Sequence, residues 1–255
     1  MVAAIVQSLL IQLHLICPLL LMTSGGGITT VETAIRYPVR LIESGPAAGA
    51  IFAGCIARQH GLDQVLSFDM GGTTAKICLI DKAQPQTARL LEVARVYRFL
   101  KGSGLPLRIP VIEMVEIGAG GGSIARIDAL KRIAVGPDSA GSQPGPVCYG
   151  QGGREPTVTD ADVVLGRIDP QKFSGGKIAL DAAGATRAVA ERIGAPLSLA
   201  ADHAALGISE MVDENMANAA RVHAIESGKD VRARTLIAFG GAAPLHAARL
   251  AEKLG

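Results

Sequence analysis

Phe68-Asp69-Met70-Gly71-Gly72-Thr73-Thr74 is the run of this chain best equipped for chemistry. Two glycines let the backbone take positive φ and come close to a ligand. The exposed N–H groups of such a turn, with two hydroxyls, suit a phosphate. Asp69, just before the turn, is placed to hold a divalent cation on that phosphate, directly or through water. The flanking stretches, 64–68 and 75–81, are β-type, so strand, Gly-Gly-Thr-Thr turn and strand form a hairpin.

A second glycine pair, Gly240-Gly241, lies between a short apolar strand and a helix. Glycines there let a ligand lie against the backbone, and the helix N-terminus favours negative charge. His246 follows closely enough to reach such a ligand. A third loop, 118–123, could be another phosphate cradle or a tight turn between strands. Asp160 and Asp162 could work as an acid–base or metal pair. Acids in a first helical turn more often balance the helix dipole, and that is the reading preferred. Lys76 reads as a solvated strand residue, and His203 and His223 as helix-surface or core residues. No nucleophile triad and no zinc-type spacing can be argued.

The elements that must position these residues follow from local patterns. Ser44-Gly45-Pro46 opens a helix, capped by Ser44 or Gly45 with Pro46 in its first turn, that continues through the Ala/Ile-rich run 47–60 and stops at Gly61. Residues 82–110 are mixed, with a Gly-Ser-Gly break at 102–104. Residues 111–117 read as one buried strand and 124–127 as another. The stretch 135–157 is rich in Gly and Pro and reads as irregular, so it is functional or packed under another element. Helices are expected over 159–165, 181–193, 203–227 and 244–254, with a strand at 236–239. In the long helix Leu206, Ile208, Met211, Val212, Met216, Ala219, Ala220 and Val222 recur at helical spacing. The class is α/β with an antiparallel hairpin inside it.

Composition narrows the functions open to the chain. Its 255 residues are 49% hydrophobic, with a formal net charge of +2 and only 3% aromatics. With no basic cluster and no Trp, nucleic acid is not an expected partner. The four cysteines lie far apart and read as reduced thiols of a cytoplasmic protein, with Cys55 and Cys78 in the core. Residues 5–22 are largely apolar, but no cationic segment precedes them, and Gln12, His14 and Pro18 interrupt any span. A buried or poorly ordered helix-plus-strand is expected there, with a mis-assigned start as the alternative. No membrane partner is expected.

Longer motifs carry a resemblance. Ser44-Gly45-Pro46-Ala47-Ala48-Gly49, the run from Phe68 to Lys76 and Glu116-Ile117-Gly118-Ala119-Gly120-Gly121-Gly122-Ser123 occur in the order of the hydantoinase/oxoprolinase family. So do Pro144-Gly145-Pro146-Val147-Cys148-Tyr149-Gly150, Thr157-Val158-Thr159-Asp160-Ala161 and Phe239-Gly240-Gly241-Ala242-Ala243-Pro244-Leu245-His246. The chain resembles the A subunit of hydantoin-utilising enzymes over residues 24–255. The resemblance implies an actin/Hsp70-like (ribonuclease H-like) ATPase half-domain with an inserted Gly/Pro-rich β region. It implies ATP-dependent opening of five-membered cyclic amides such as hydantoin, N-methylhydantoin or 5-oxoproline, with Mg²⁺ on the phosphates and a hydantoinase B-type subunit as partner. In that scheme Asp69 is the catalytic and metal-holding residue. Gly71, Gly72, Thr73 and Thr74 hold phosphate, Gly240 and Gly241 the nucleoside side, and Gly120, Gly121, Gly122 and His246 complete the binding set. The family's N-terminal half-domain, with its own Asp-Val-Gly-Gly-Thr loop, has no counterpart here, so a truncated A subunit is expected. A missing half-domain should leave an apolar face uncovered, so a homo-oligomer is also expected. A non-catalytic remnant and a β-type subunit of an acetone-carboxylase-like enzyme are the alternatives.

Overall fold

A computed structural model describes residue 12, residues 19–93 and residues 102–255. Most of the apolar segment at 5–22, and Cys17 with it, lies outside the described residues. The chain divides into two compact units, one of residues 1–65 and 78–114, the other of residues 66–77 and 115–255.

In the first unit, β1 (Leu20–Met22) and β2 (Ile28–Thr30) form an antiparallel hairpin that leads into helix α1 (Val31–Arg36). The Thr30 hydroxyl caps α1 by accepting from the Thr33 N–H at 3.3 Å. Helix α2 spans Ser44–Gln59, so Ser44 and Gly45, expected as caps, lie inside it; Glu43, with φ 62°, is its N-cap and gives no side-chain cap bond. Ala47, Ala50, Ala53 and Ala57 form its buried stripe at three- and four-residue spacing. Cys55 lies off that stripe and is exposed, so the core position expected for it is incorrect; Cys78 is buried. The same unit holds the start of β3 (Gln64–Met70) and the end of β4 (Ala75–Asp81). It also contains the short strands β5 (Gln84–Pro85), β6 (Thr87–Ala88), β7 (Leu91–Val93), β8 (Leu105–Leu107) and β9 (Val111–Ile112). Antiparallel pairs join β4 to β5, β6 to β9 and β7 to β8.

The second unit carries the rest of β3 and β4. Strand β10 (Val115–Ile117) runs antiparallel to β4, with Glu116 opposite Lys76 and Ile117 opposite Ala75. The expected strand over 111–117 is therefore two, broken at Glu113-Met114, with β9 and β10 taking different partners. β11 (Ser123–Ile127) pairs antiparallel with β12 (Ile133–Ser139). β12 places regular structure at the start of the 135–157 stretch read as irregular. The largest sheet runs β10-β4-β3, then β13 (Thr235–Phe239). Val65, Leu66, Ser67, Phe68 and Met70 are all buried, as expected of an inner strand.

Four helices of the second unit are α3 (Val158–Val164), α4 (Ala182–Val189), α5 (Ala201–Glu226) and α6 (Ala243–Leu254). α4 continues through a π-turn at Ala190–Gly194, so helix persists past the expected end at 193. α3 packs on α4 and α5, and α5 on α6. The buried face of α5 includes Ile208, Val212, Met216 and Ala220, but Leu206, Met211 and Val222 are exposed. The apolar pattern of α5 thus covers more of its circumference than its neighbours cover. Among the described residues no helix is long and apolar enough to cross a membrane.

Candidate functional site

The Gly71–Thr74 turn joins β3 to β4 and is closed by the Gly71 N–H donating to Thr74 O at 3.1 Å. Neither Gly71 nor Gly72 has positive φ, so the expected backbone reason for these glycines does not hold. A Cβ built on either would meet no protein atom within 4 Å. Nothing internal therefore demands glycine at 71 or 72. What a side chain would remove is the open space beside the backbone, which is the space a ligand needs for close approach. Gly72 and Thr73 are exposed, and their N–H groups have no acceptor among the described residues.

The loop 118–123 lies behind that turn. The Gly121 N–H donates to Gly71 O at 3.0 Å and the Gly122 N–H to Gly72 O at 2.6 Å. The Gly120 N–H is taken by the Ser123 hydroxyl at 2.9 Å. A Cβ on Gly120 would lie 2.6 Å from Gly72 C and Thr73 N. These glycines are buried; the Gly121 and Gly122 amides are spent on the turn and that of Gly120 within its own loop. This packing is that of a tight turn between strands. Its shelf is fixed from α3, where the Thr159 N–H and hydroxyl donate to Gly121 O at 2.7 and 2.8 Å. α3 starts in a capping box between Thr157 and Asp160. The Asp160 carboxylate also accepts from the Val147 and Cys148 N–H groups at 3.2 and 2.7 Å. Asp160 is thus a buried anchor for the 147–149 turn, in line with its structural reading.

The second glycine pair meets the first hairpin at Asp69. Gly240 has φ 95°, and a Cβ there would lie 2.5 Å from Asp69 Oδ1 and 2.7 Å from Met70 O. The Ala242 N–H donates to Met70 O at 2.9 Å. Gly241 is exposed and open on its Cβ side, and α6 follows with Pro244 in its first turn. Asp69 and the glycine-led start of α6 are therefore in contact at the end of β3, where the Gly71–Thr74 turn begins. Burial raises the Asp69 carboxyl above its usual range, and the Lys76 charge opposes that rise. Lys76 is not the solvated residue expected: its side chain is 13% exposed and pairs with Glu116 Oε1 at 3.0 Å. Among the described residues no group of three or more His, Cys, Asp or Glu could hold a metal. A divalent ion would thus depend on Asp69 and on its own anionic ligand.

His246 is fully buried rather than open to the glycine pair. Its Nδ1 lies 2.8 Å from Asp213 and its Nε2 3.3 Å from Asp162, the second an ion-pair contact without a hydrogen bond. Arg167 donates to Asp162 at 3.1 Å and to the Ser209 hydroxyl at 2.6 Å. Burial pulls the His246 pKa down, but the two carboxylates outweigh it and push it up to about 9. Two cations face two carboxylates across α3, α5 and α6. Asp213 and Arg167 were missed from the sequence; an acid on the apolar face of α5 was the available signal. His223 is mostly buried on α5, and His203 is exposed beside Asp202. Burial, then the Asp160 charge, push the Cys148 thiol up, which leaves it inert.

Comparison with known proteins bears on the whole chain. A model of the hydantoinase/oxoprolinase family matches residues 2–255. The chain is 40% identical over 232 residues to caprolactamase subunit alpha of Pseudomonas jessenii, covering 91% of this chain and 32% of that protein. It is 38% identical over 233 residues to the acetophenone carboxylase gamma subunit of Aromatoleum aromaticum, covering 91% of this chain and 30% of that protein. The crystal structure of ATP-dependent caprolactamase from Pseudomonas jessenii superposes with a TM-score of 0.77 at 36% identity, over 98% of this chain and 35% of that one. The chain thus spans about a third of the length of these relatives. It belongs to the hydantoinase/oxoprolinase family.

Proposed function

We propose that the chain supplies the second phosphate turn and the nucleoside-side loop of a two-lobed, actin/Hsp70-like ATP site, in an enzyme subunit that opens cyclic amides. One observation carries this reading. Gly71, Gly72 and Gly241 have no packing or conformational need to be glycine, yet all three border open space at the turn and loop that meet beside Asp69. The likeness to a caprolactamase described as ATP-dependent supports the same reading. It also widens the substrate class from five-membered rings to cyclic amides in general.

The residues divide the work as follows. The outward N–H groups of Gly72 and Thr73, with the Thr73 and Thr74 hydroxyls, bind phosphate oxygens. Asp69 holds Mg²⁺ through one oxygen or through water; its partial burial strengthens that contact once the cation balances the charge. Gly240 lets the adenosine-side loop press against Asp69, and Gly241 leaves room for the nucleoside. ATP, when bound, supplies the phosphoryl group that turns an unreactive amide oxygen into a leaving group. The Gly120–Gly122 shelf and the buried His246 pair hold the turn and α6 without touching the nucleotide. A B-type subunit serves as its partner.

The test is calorimetry of the chain with Mg-ATP, followed by turnover of hydantoin, 5-oxoproline and caprolactam with a B-type subunit present. Micromolar Mg-ATP binding that Asp69→Ala abolishes is expected. A folded chain with no affinity for Mg-ATP would refute the reading and favour a non-catalytic assembly module. The likeness to an acetophenone carboxylase subunit supports a second reading. In that case nucleotide use would require bicarbonate and a ketone instead of a cyclic amide.

A further inference from the structure

Lys76 stands in a position that the roles above leave unused. Thr74 and Lys76 are two residues apart, with Thr74 ending the turn and Lys76 in β4, so strand alternation puts both on one face. The Lys76 ammonium donates to the Thr74 hydroxyl at 3.1 Å. From the neighbouring strand, Glu116 pairs directly opposite Lys76 and accepts at 3.0 Å. The lysine stem is covered, with 13% of its side chain exposed, while Glu116 is 54% exposed. Glu116 and the Thr74 hydroxyl hold the ammonium along the sheet beside the turn. The Lys76 charge is felt at Asp69, where it opposes the rise that burial imposes. A cation is therefore held ready at the edge of a turn whose outward amides have no protein acceptor.

We propose that Lys76 is a phosphate-binding residue that reads the terminal phosphate of the nucleotide, exchanging Glu116 for a phosphate oxygen when ATP arrives. The inference rests on the nucleotide reading given above. Its logic is charge balance. A nucleoside triphosphate brings a large negative charge to a turn already flanked by the Asp69 carboxylate, and amide dipoles with one Mg²⁺ offset only part of it. The exposed Glu116 gives up its partner cheaply, because water solvates its carboxylate at once. An ammonium is a compact point charge with three rotatable donors, so it can follow an oxygen through such an exchange. The contact with the Thr74 hydroxyl keeps it close to the turn in both states.

The experiment is calorimetric titration of the full chain with Mg-ATP, Mg-ADP and AMP, comparing the parent chain with Lys76→Met, Lys76→Arg and Glu116→Gln. For Lys76→Met, ATP affinity should fall by about 10-fold or more while AMP affinity stays within about 2-fold, as expected for loss of one charged hydrogen bond. Lys76→Arg should recover part of the ATP affinity. Glu116→Gln should leave ATP affinity unchanged or raise it, because the ammonium no longer has a competing anion. Equal losses for ATP, ADP and AMP in Lys76→Met would show a merely structural lysine and overturn the proposal. Unchanged ATP affinity would overturn it as well. If Lys76→Met fails to fold, Lys76→Arg and Glu116→Gln still decide, since an ATP loss in Glu116→Gln matching that in Lys76→Arg refutes the exchange. A parent chain that binds no nucleotide refutes the proposed function itself, a result distinct from all of these.

Discussion

Replacing His246 with alanine should be among the most damaging single changes in this chain, and the structure allows the size to be worked. The imidazole is 0% exposed and lies between Asp213 and Asp162, which are themselves buried. Without it, Asp162 keeps Arg167. Among the described residues Asp213 keeps only the Ser209 hydroxyl at 3.5 Å, the limit of a hydrogen bond. Leaving a buried charge uncompensated costs about 3–5 kcal/mol, which reflects the orphaned carboxylate more than any net worth of the intact pair. For a domain of this size that is a fall in Tm of roughly 6–20 °C. The parent protein offers an independent check through pH. The folded pKa of His246 is about 9 against an ordinary 6.5, so the native state holds this proton more tightly. That stabilisation is fully present below pH 6.5 and is lost as pH rises through 9. The difference of about 2.5 pH units corresponds to roughly 3 kcal/mol. Urea melts of the parent chain at pH 6 and pH 9.5 should show this loss, and a folded His246→Ala chain should show little pH dependence over that window. Parent stability that stays level or rises between those pH values would refute the reasoning. So would a His246→Ala chain within about 1 kcal/mol of the parent at pH 6.

Three further outcomes separate binding from folding. Gly72→Ala should leave the urea midpoint nearly unchanged, because its Cβ would meet no protein atom, while Mg-ATP affinity measured by calorimetry falls by about 10-fold or more. Gly240→Ala should do the opposite first: positive φ and a Cβ 2.5 Å from Asp69 Oδ1 cost about 1–3 kcal/mol in a denaturant melt. Asp160→Ala should cost about 2 kcal/mol or more by the same melt, since it strands the Val147 and Cys148 amides and opens the capping box.

The features legible in the sequence were those set by neighbours along the chain. Strand–Gly-Gly-Thr-Thr–strand, the Gly61 helix stop and the glycine pair before α6 depend on turn chemistry and period, and the structure has them. Features decided by what lies across from a residue were not legible. Nothing local says that the amides of Gly120, Gly121 and Gly122 turn inward to a shelf while those of Gly72 and Thr73 turn outward. Lys76 looked solvated because its cross-strand partner, Glu116, lies forty positions away. Cys55 fits an apolar helix, but the alanine stripe of α2 selected the other face. His246 showed proximity to Gly240-Gly241 along the chain, but the two carboxylates that enclose it come from α3 and α5.

The shelf beneath the turn bears on rates as well as on affinity. The Gly121 and Gly122 amides are tied down whether or not anything occupies the turn, so their hydrogen exchange should be slow at all times. The outward amides of Gly72 and Thr73 should exchange fast and slow only when occupied. A ligand arriving there meets a surface already ordered, with no loop to freeze on binding. Association should then be limited by encounter and show no lag from rearrangement, so differences in affinity among ligands should appear as differences in residence time.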